Sequence, residues 1–238
     1  EAAQKIASYL FKLASDTDGF TVGRYGPDDD QTTPNAKSTE ENFALWAAFR
    51  RLSMVMGGRG STAWAVTYAA AAEKARLFVQ KMYSPDCGCF YYGAGEDGVT
   101  PDTDVVVFDS SAMAVLVMGD DLPEPERVMA YIRDNFAVDH GFDFNQDRDG
   151  IWFEGTVKGQ LCEVARGNAG AAAETLEYLN QQRRPDWSLP AADHDGLTTG
   201  LAVEVDGTPR TFDNRAYLGA TAWLGLAKMG VNPIAKPS

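Results

Sequence analysis

Three acidic residues stand where a long polar loop runs into the start of a helical pattern, and that placement gives them chemistry. Glu41 follows Ser38-Thr39-Glu40, Asp109 follows Val107-Phe108 and precedes Ser110-Ser111, and Glu154 lies between Ile151-Trp152-Phe153 and Gly155-Thr156. Two carboxyl groups held near one another can divide acid–base work, one donating a proton while the other accepts one or attacks. Each residue also has a plainer task. Ser38 with Glu41 three residues on reads as a capping box, in which one of Glu40 and Glu41 caps and Glu41 is the choice for a ligand-facing group. Asp109 before two serines reads as a helix N-cap. Glu154 is the best single catalytic candidate, because Trp152 and Phe153 would partly desolvate its carboxyl group and the helix start would hold it in place.

Around these lie residues suited to holding a hydroxyl-rich ligand. Asn42 and Trp46 fall one turn apart on a single helix face. Tyr92 and Trp152, with Tyr91 and Trp223, offer rings for stacking, although aromatics at such spacing also build cores. Asp213 and Arg215 open the last helical pattern and offer hydrogen bonds at a rim, or a surface ion pair.

Signals for other chemistries are weaker. Asn145-x-Asp147-x-Asp149-Gly150 matches the opening half of a calcium loop, but its twelfth position is Thr156 instead of a bidentate Glu, so an Asp/Gly turn without a metal is expected. His140 and His194 are not paired at metal-binding spacing, and neither stands beside a Ser or Cys nucleophile. Cys87-Gly-Cys89 has neither redox C-x-x-C spacing nor a second pair for zinc. No metal and no organic cofactor is expected.

The elements that must position these residues are helices. Ile6, Tyr9, Leu10 and Leu13 form one apolar stripe, Leu45, Phe49, Leu52 and Met56 a second, and Trp64, Tyr68, Ala71, Ala75, Phe78 and Met82 a third, all read as core faces. Further helices are expected near 109–118, 123–136, 156–166, 168–183 and 214–229, making about eight. Short connections alternate with long loops at 17–37, 84–108, 137–154 and 184–213. Long loops in a compact domain tend to carry function. An all-α toroid of helical hairpins follows as the expectation, with alternate helices inside and the long loops crowding one face.

Composition bounds the partners. The 238 residues carry a net charge of -13 with no basic patch, which argues against nucleic acid and anionic membranes. With 45% hydrophobic residues there is material for a core, yet no apolar run long enough to span a membrane. One domain over 1–238 is the expectation. The chain starts at Glu1 without a signal-like segment, and the compartment cannot be read from it.

Four segments together carry a family resemblance. Ser38-Thr-Glu-Glu-Asn42, Gly150-Ile-Trp-Phe-Glu-Gly-Thr156, Leu189-Pro-Ala-Ala-Asp-His-Asp-Gly-Leu-Thr-Thr-Gly200 and Ala220-Thr-Ala-Trp223 with Asn232-Pro233 resemble, in order and position, the six-hairpin glycosidase-like superfamily. The resemblance implies an α/α toroid whose mouth, at the N-terminal ends of the inner helices, binds carbohydrate. It implies a glycoside hydrolase acting on an oligo- or polysaccharide through paired carboxylates, with Glu41, Asp109 and Glu154 as the candidates. A closed ring of six hairpins has twelve helices, so about eight imply an open ring or absent N-terminal hairpins. That in turn implies an apolar flank near the N-terminus for a partner domain or self-association, and leaves a non-catalytic carbohydrate-binding or assembly domain as the alternative.

Overall fold

The computed structural model describes residues 2–23, 32, 34–202 and 207–236, so part of the loop 17–37 lies outside the described residues. Eight α-helices are found among them: α1 Ala2–Leu10, α2 Thr39–Gly58, α3 Thr62–Lys81, α4 Phe108–Met118, α5 Pro125–Phe136, α6 Phe153–Ala165, α7 Ala169–Gln181 and α8 Leu218–Lys228. The chain divides into two compact units: Glu1–Pro85 with Phe90–Asp104 and Lys236–Ser238, and Asp86–Cys89 with Val105–Ala235.

In the first unit α2 and α3 form a long antiparallel hairpin. Phe49, Met56, Tyr68, Ala75 and Phe78 are buried in it as their spacing predicts, Leu45 and Leu52 are half-buried, and Phe11, Phe49 and Tyr68 stack in series. The first stripe is a correction: Ile6 and Tyr9 are exposed, and only Leu13 of that stripe is buried. Trp64 is exposed as well. A helix as short as α1 shields one face only, so a stripe wider than that face leaves apolar side chains outside.

In the second unit burial alternates along the chain. Every residue of α4 and most of α6 are buried, whereas α5 and α7 bury only one face each. Helix α6 packs against α4, α7 and α8. The loops entering α4, α6 and α8 are laced side by side by backbone pairs, Val107 with Asn145, Trp152 with Ala192 and Pro190 with Ala216. The starts of these three helices are thereby brought to one end of the unit, as the alternation of loop lengths predicts.

Two local features were not anticipated. Leu197–Ala202 and Pro209–Phe212, read as loop, form an antiparallel strand pair. Thr198 also ties this pair to the loop before α6, donating from its amide to Asp149 and from its hydroxyl to Asp147. Cys87 and Cys89 are joined in a disulfide with Cα atoms 5.3 Å apart. Gly88, at φ +67°, supplies the left-handed residue such a tight ring needs.

Candidate active site

The second unit builds a buried charge network at the start of α6. Glu154 and Lys158 lie one turn apart and share a face of that helix. Lys158 Nζ is 3.0 Å from Glu154 Oε1 and 2.6 Å from Asp109 Oδ2, which reaches it from the first turn of α4. Its ammonium also sits over the rings of Trp152, at 5.2 Å, and of Trp223 on α8, at 5.6 Å. The buried helices α4 and α6 and the half-buried α8 thus each contribute to the cage around one cation.

Accessibility separates the two carboxylates. The side chains of Lys158 and Asp109 are 2% and 3% exposed, while that of Glu154 is 13% exposed. The two oxygens facing the ammonium lie at most 5.6 Å apart, the sum of the 2.6 and 3.0 Å contacts. That bound is close to the separation of a retaining carboxylate pair, about 5–5.5 Å. A sugar cannot enter between them, however, because Lys158 fills the gap. Asp109 is therefore buried as a partner of Lys158, away from solvent. It is not the N-cap: Val107 holds that position, and Asp109 lies within the first turn.

Glu154 has further neighbours on its open side. The Tyr217 phenol lies within hydrogen-bonding reach of it, and burial, followed by the Glu154 charge, holds that phenol above the usual tyrosine range. A Cβ at Gly219, in the first turn of α8, would collide with Glu154 Oε2, so glycine is required there for the carboxylate to occupy its position. With an ammonium and a phenol directed at it, Glu154 is equipped as an acceptor: a base, a nucleophile or a partner for a ligand hydroxyl.

Other residues singled out in the sequence have different surroundings. Trp152 is buried beneath Lys158, stacked on Phe212 and edge-on to Phe144, so it forms the floor of the network and not a stacking platform. Asp213 and Arg215 form an exposed ion pair at 3.5 Å, and Asp213 accepts from the Gly196 amide.

In the first unit, Asn42 is fully buried and clamps a loop. Its side chain accepts from the Phe20 amide and donates to the carbonyls of Phe20 and Ser38, and at 0% exposure it does not reach a ligand. Trp46 is buried against Phe43 and the Arg50 guanidinium. Both are corrections to the binding roles expected from spacing. Tyr92 is half-buried, and its carbonyl accepts from the Thr39 amide at the start of α2. Ser38 caps that helix, its hydroxyl accepting from the Glu41 amide. The Glu41 side chain reaches solvent, yet desolvation by its surroundings and then the neighbouring Glu40 push its carboxyl up to about 7.

The half calcium loop gains a member that the motif does not show. Asp143, fully buried, joins Asp147 and Asp149, and oxygens of the three lie within 4.8 Å of one another, close enough to share a cation. Asp143 accepts from the amides of Phe144 and Asp149, and burial pushes its carboxyl up to about 7.

Lys158 and Tyr217 were missed in the sequence. The signal for Lys158 was its i,i+4 spacing from Glu154, which usually marks an exposed pair. Nothing in the sequence marked Tyr217 beyond its position at a helix start.

No protein-family model and no curated protein matches the sequence. Solved structures do. The chain superposes on a glycosidase in complex with glucose at a TM-score of 0.56 and 19% identity, covering 81% of this chain and 52% of that one. A sialidase gives 0.61 at 11% identity, with 96% of this chain and 24% of that one covered. A possible member of the GH105 family from Klebsiella pneumoniae gives 0.63 at 13% identity, with 96% and 64% covered. The chain spans about half the length of the glycosidase it matches. At such identities the likeness is one of fold, and the chain has the all-α, helical-hairpin fold of the six-hairpin glycosidases.

Proposed function

We propose that the chain is a carbohydrate-active domain that hydrolyses a glycosidic bond in an oligo- or polysaccharide, with Glu154 as its catalytic carboxylate. The observation that carries this reading is the ammonium of Lys158, clamped by Asp109 and set 3.0 Å from Glu154 at the start of an inner helix. Asp109 and Lys158 are positioning residues. They fix the Glu154 carboxylate on the face opposite to the one a sugar would approach, and Tyr217 orients it from the side. A group so held works as base or nucleophile. Glu41 is the proton-donor candidate on its own chemistry, since a carboxyl with a proton affinity of about 7 is half protonated at neutral pH. Asp213 and Arg215 are retained as rim contacts to hydroxyls, and no organic cofactor enters this reading.

A panel of oligo- and polysaccharides assayed for newly released reducing ends tests the proposal. Turnover that disappears in Glu154→Gln supports it. Saturable sugar binding without turnover by the wild-type chain would favour the second reading, a non-catalytic carbohydrate-binding domain. The exposed Ile6, Tyr9, Met54, Val55, Trp64 and Val66 of α1–α3 favour association with a partner domain or a second copy, which sedimentation velocity over a concentration series would detect.

A further inference from the structure

The first unit holds a cleft of about 320 Å³ that the glycosidase reading does not use. Its walls are the loop Asp16-Thr17-Asp18, the turn at Gly98-Val99 and the face of α3 that carries Lys74, Phe78 and Lys81 at i, i+4 and i+7. Ammonium groups converge on it. Lys37, 2% exposed, lies behind the loop and donates to the Thr17 hydroxyl and to the carbonyls of Asp18 and Gly98, which occupies all three of its N–H groups. Lys74 donates to the Thr17 carbonyl at 2.6 Å, and Lys81 pairs with Asp18 at 2.6 Å. An ammonium has three N–H donors, so among the described residues Lys74 and Lys81 each keep two for a ligand.

The negative charge nearby is largely engaged. Asp18 is held by Lys81, and Asp97 accepts from the amides of Val99 and Thr100 and from the Thr100 hydroxyl. Asp16 stands at the rim. The Lys37 ammonium is held below the usual lysine range by burial first and by Lys74 next, with Asp18 opposing them more strongly than Lys81 adds to them. In formal charge Lys37, Lys74 and Lys81 balance Asp16, Asp18 and Asp97, so in a chain of net charge -13 the cleft is a locally neutral region.

We propose that this cleft binds a small oxyanion, a phosphate or a carboxylate on a compact polar body, through the free N–H groups of Lys74 and Lys81. Its volume is at the lower end of small-molecule sites, which suits one ring or one phosphate and not a polymer. Lysine ammonium groups serve phosphate and carboxylate alike as point charges.

Calorimetric titration of the full chain tests this, with inorganic phosphate, glucuronate and, as a neutral control, glucose, at about 0.05 M and about 0.5 M salt. The expected result is saturable binding of at least one anion with Kd of about 1 mM or tighter at low salt, weakened several-fold at high salt. Phosphate alone assigns the site to phosphate, glucuronate alone to carboxylates, and both to small oxyanions in general. The Lys74→Gln/Lys81→Gln double variant should lose at least about tenfold in affinity, and Lys81→Gln alone, at an exposed side chain, at least about threefold. The proposal is overturned if neither anion binds at about 20 mM, if glucose binds as tightly, or if both variants bind like wild type with unchanged melting temperature.

Discussion

Lys37 in the first unit and Lys158 in the second are each 2% exposed, yet they are held by opposite means. Lys37 hydrogen-bonds neutral groups only, a hydroxyl and two carbonyls, beside the Phe78 ring, and burial depresses its affinity for its proton. Lys158 has two carboxylates and two indole rings. The first arrangement satisfies every donor and pins loops. The second sets two carboxylates on one ammonium, and one of them, Glu154, is the more accessible. Hydrogen-bond satisfaction alone therefore does not single out a candidate site, whereas a charge network with one member kept accessible does.

The comparison is broken or sharpened first at Lys158. Lys158→Met strands the buried Asp109 carboxylate, and chemical denaturation should show a loss of about 3–5 kcal/mol. Adding Asp109→Asn should recover much of it, since only the more accessible Glu154 carboxylate then lacks its counter-ion. At Lys37 the loss should be smaller. Lys37→Met removes donors from neutral acceptors, for which about 1–3 kcal/mol is expected, and Asp18→Asn should not recover it. Recovery there would mean that Lys37 is held by charge, contrary to the contrast drawn.

A still smaller effect on stability is expected at Gly219, where the readout is activity. Gly219→Ala gains helix propensity but crowds Glu154 Oε2, so the melting midpoint should correspond to a change within about 1 kcal/mol. Turnover should fall on the order of 100-fold, because displacing a catalytic group by about 1 Å suffices for that. The last effect is a change of pH profile. Glu41 as acid must be protonated, so kcat/KM should fall as pH rises through about 7, and this alkaline limb should vanish in Glu41→Gln. A profile flat from pH 6 to 8 (roughly the span around that value) would remove Glu41 from the acid role.

Much of the fold was legible in the sequence. Apolar periodicity located α2 to α8, and the alternation of short and long connections predicted alternate helices inside and long loops on one face, which the second unit shows in the burial of α4 and α6 and in the paired loops before α4, α6 and α8. Periodicity reports that a face is apolar, not that it is covered, and so misread Ile6, Tyr9 and Trp64. Leu197–Ala202 and Pro209–Phe212 lie among Gly, Asp and Pro residues that hide a short strand pair. The site was half legible. Helix starts identified Asp109 and Glu154, but their meeting at Lys158 spans 49 positions from Asp109, which no local pattern encodes. Asn42 and Trp46 were misjudged because spacing gives a shared face without saying whether it meets solvent or a loop.

The central claim is that Glu154 acts chemically while Asp109 and Lys158 only hold it. It is tested most directly by kcat of Glu154→Gln on whichever substrate the panel identifies, measured beside a thermal melt. The account predicts a loss of about 100-fold or more with an unchanged melting temperature, in line with what acid–base groups contribute. Wild-type turnover with a lowered melting temperature would make Glu154 a structural partner of Lys158 and contradict it.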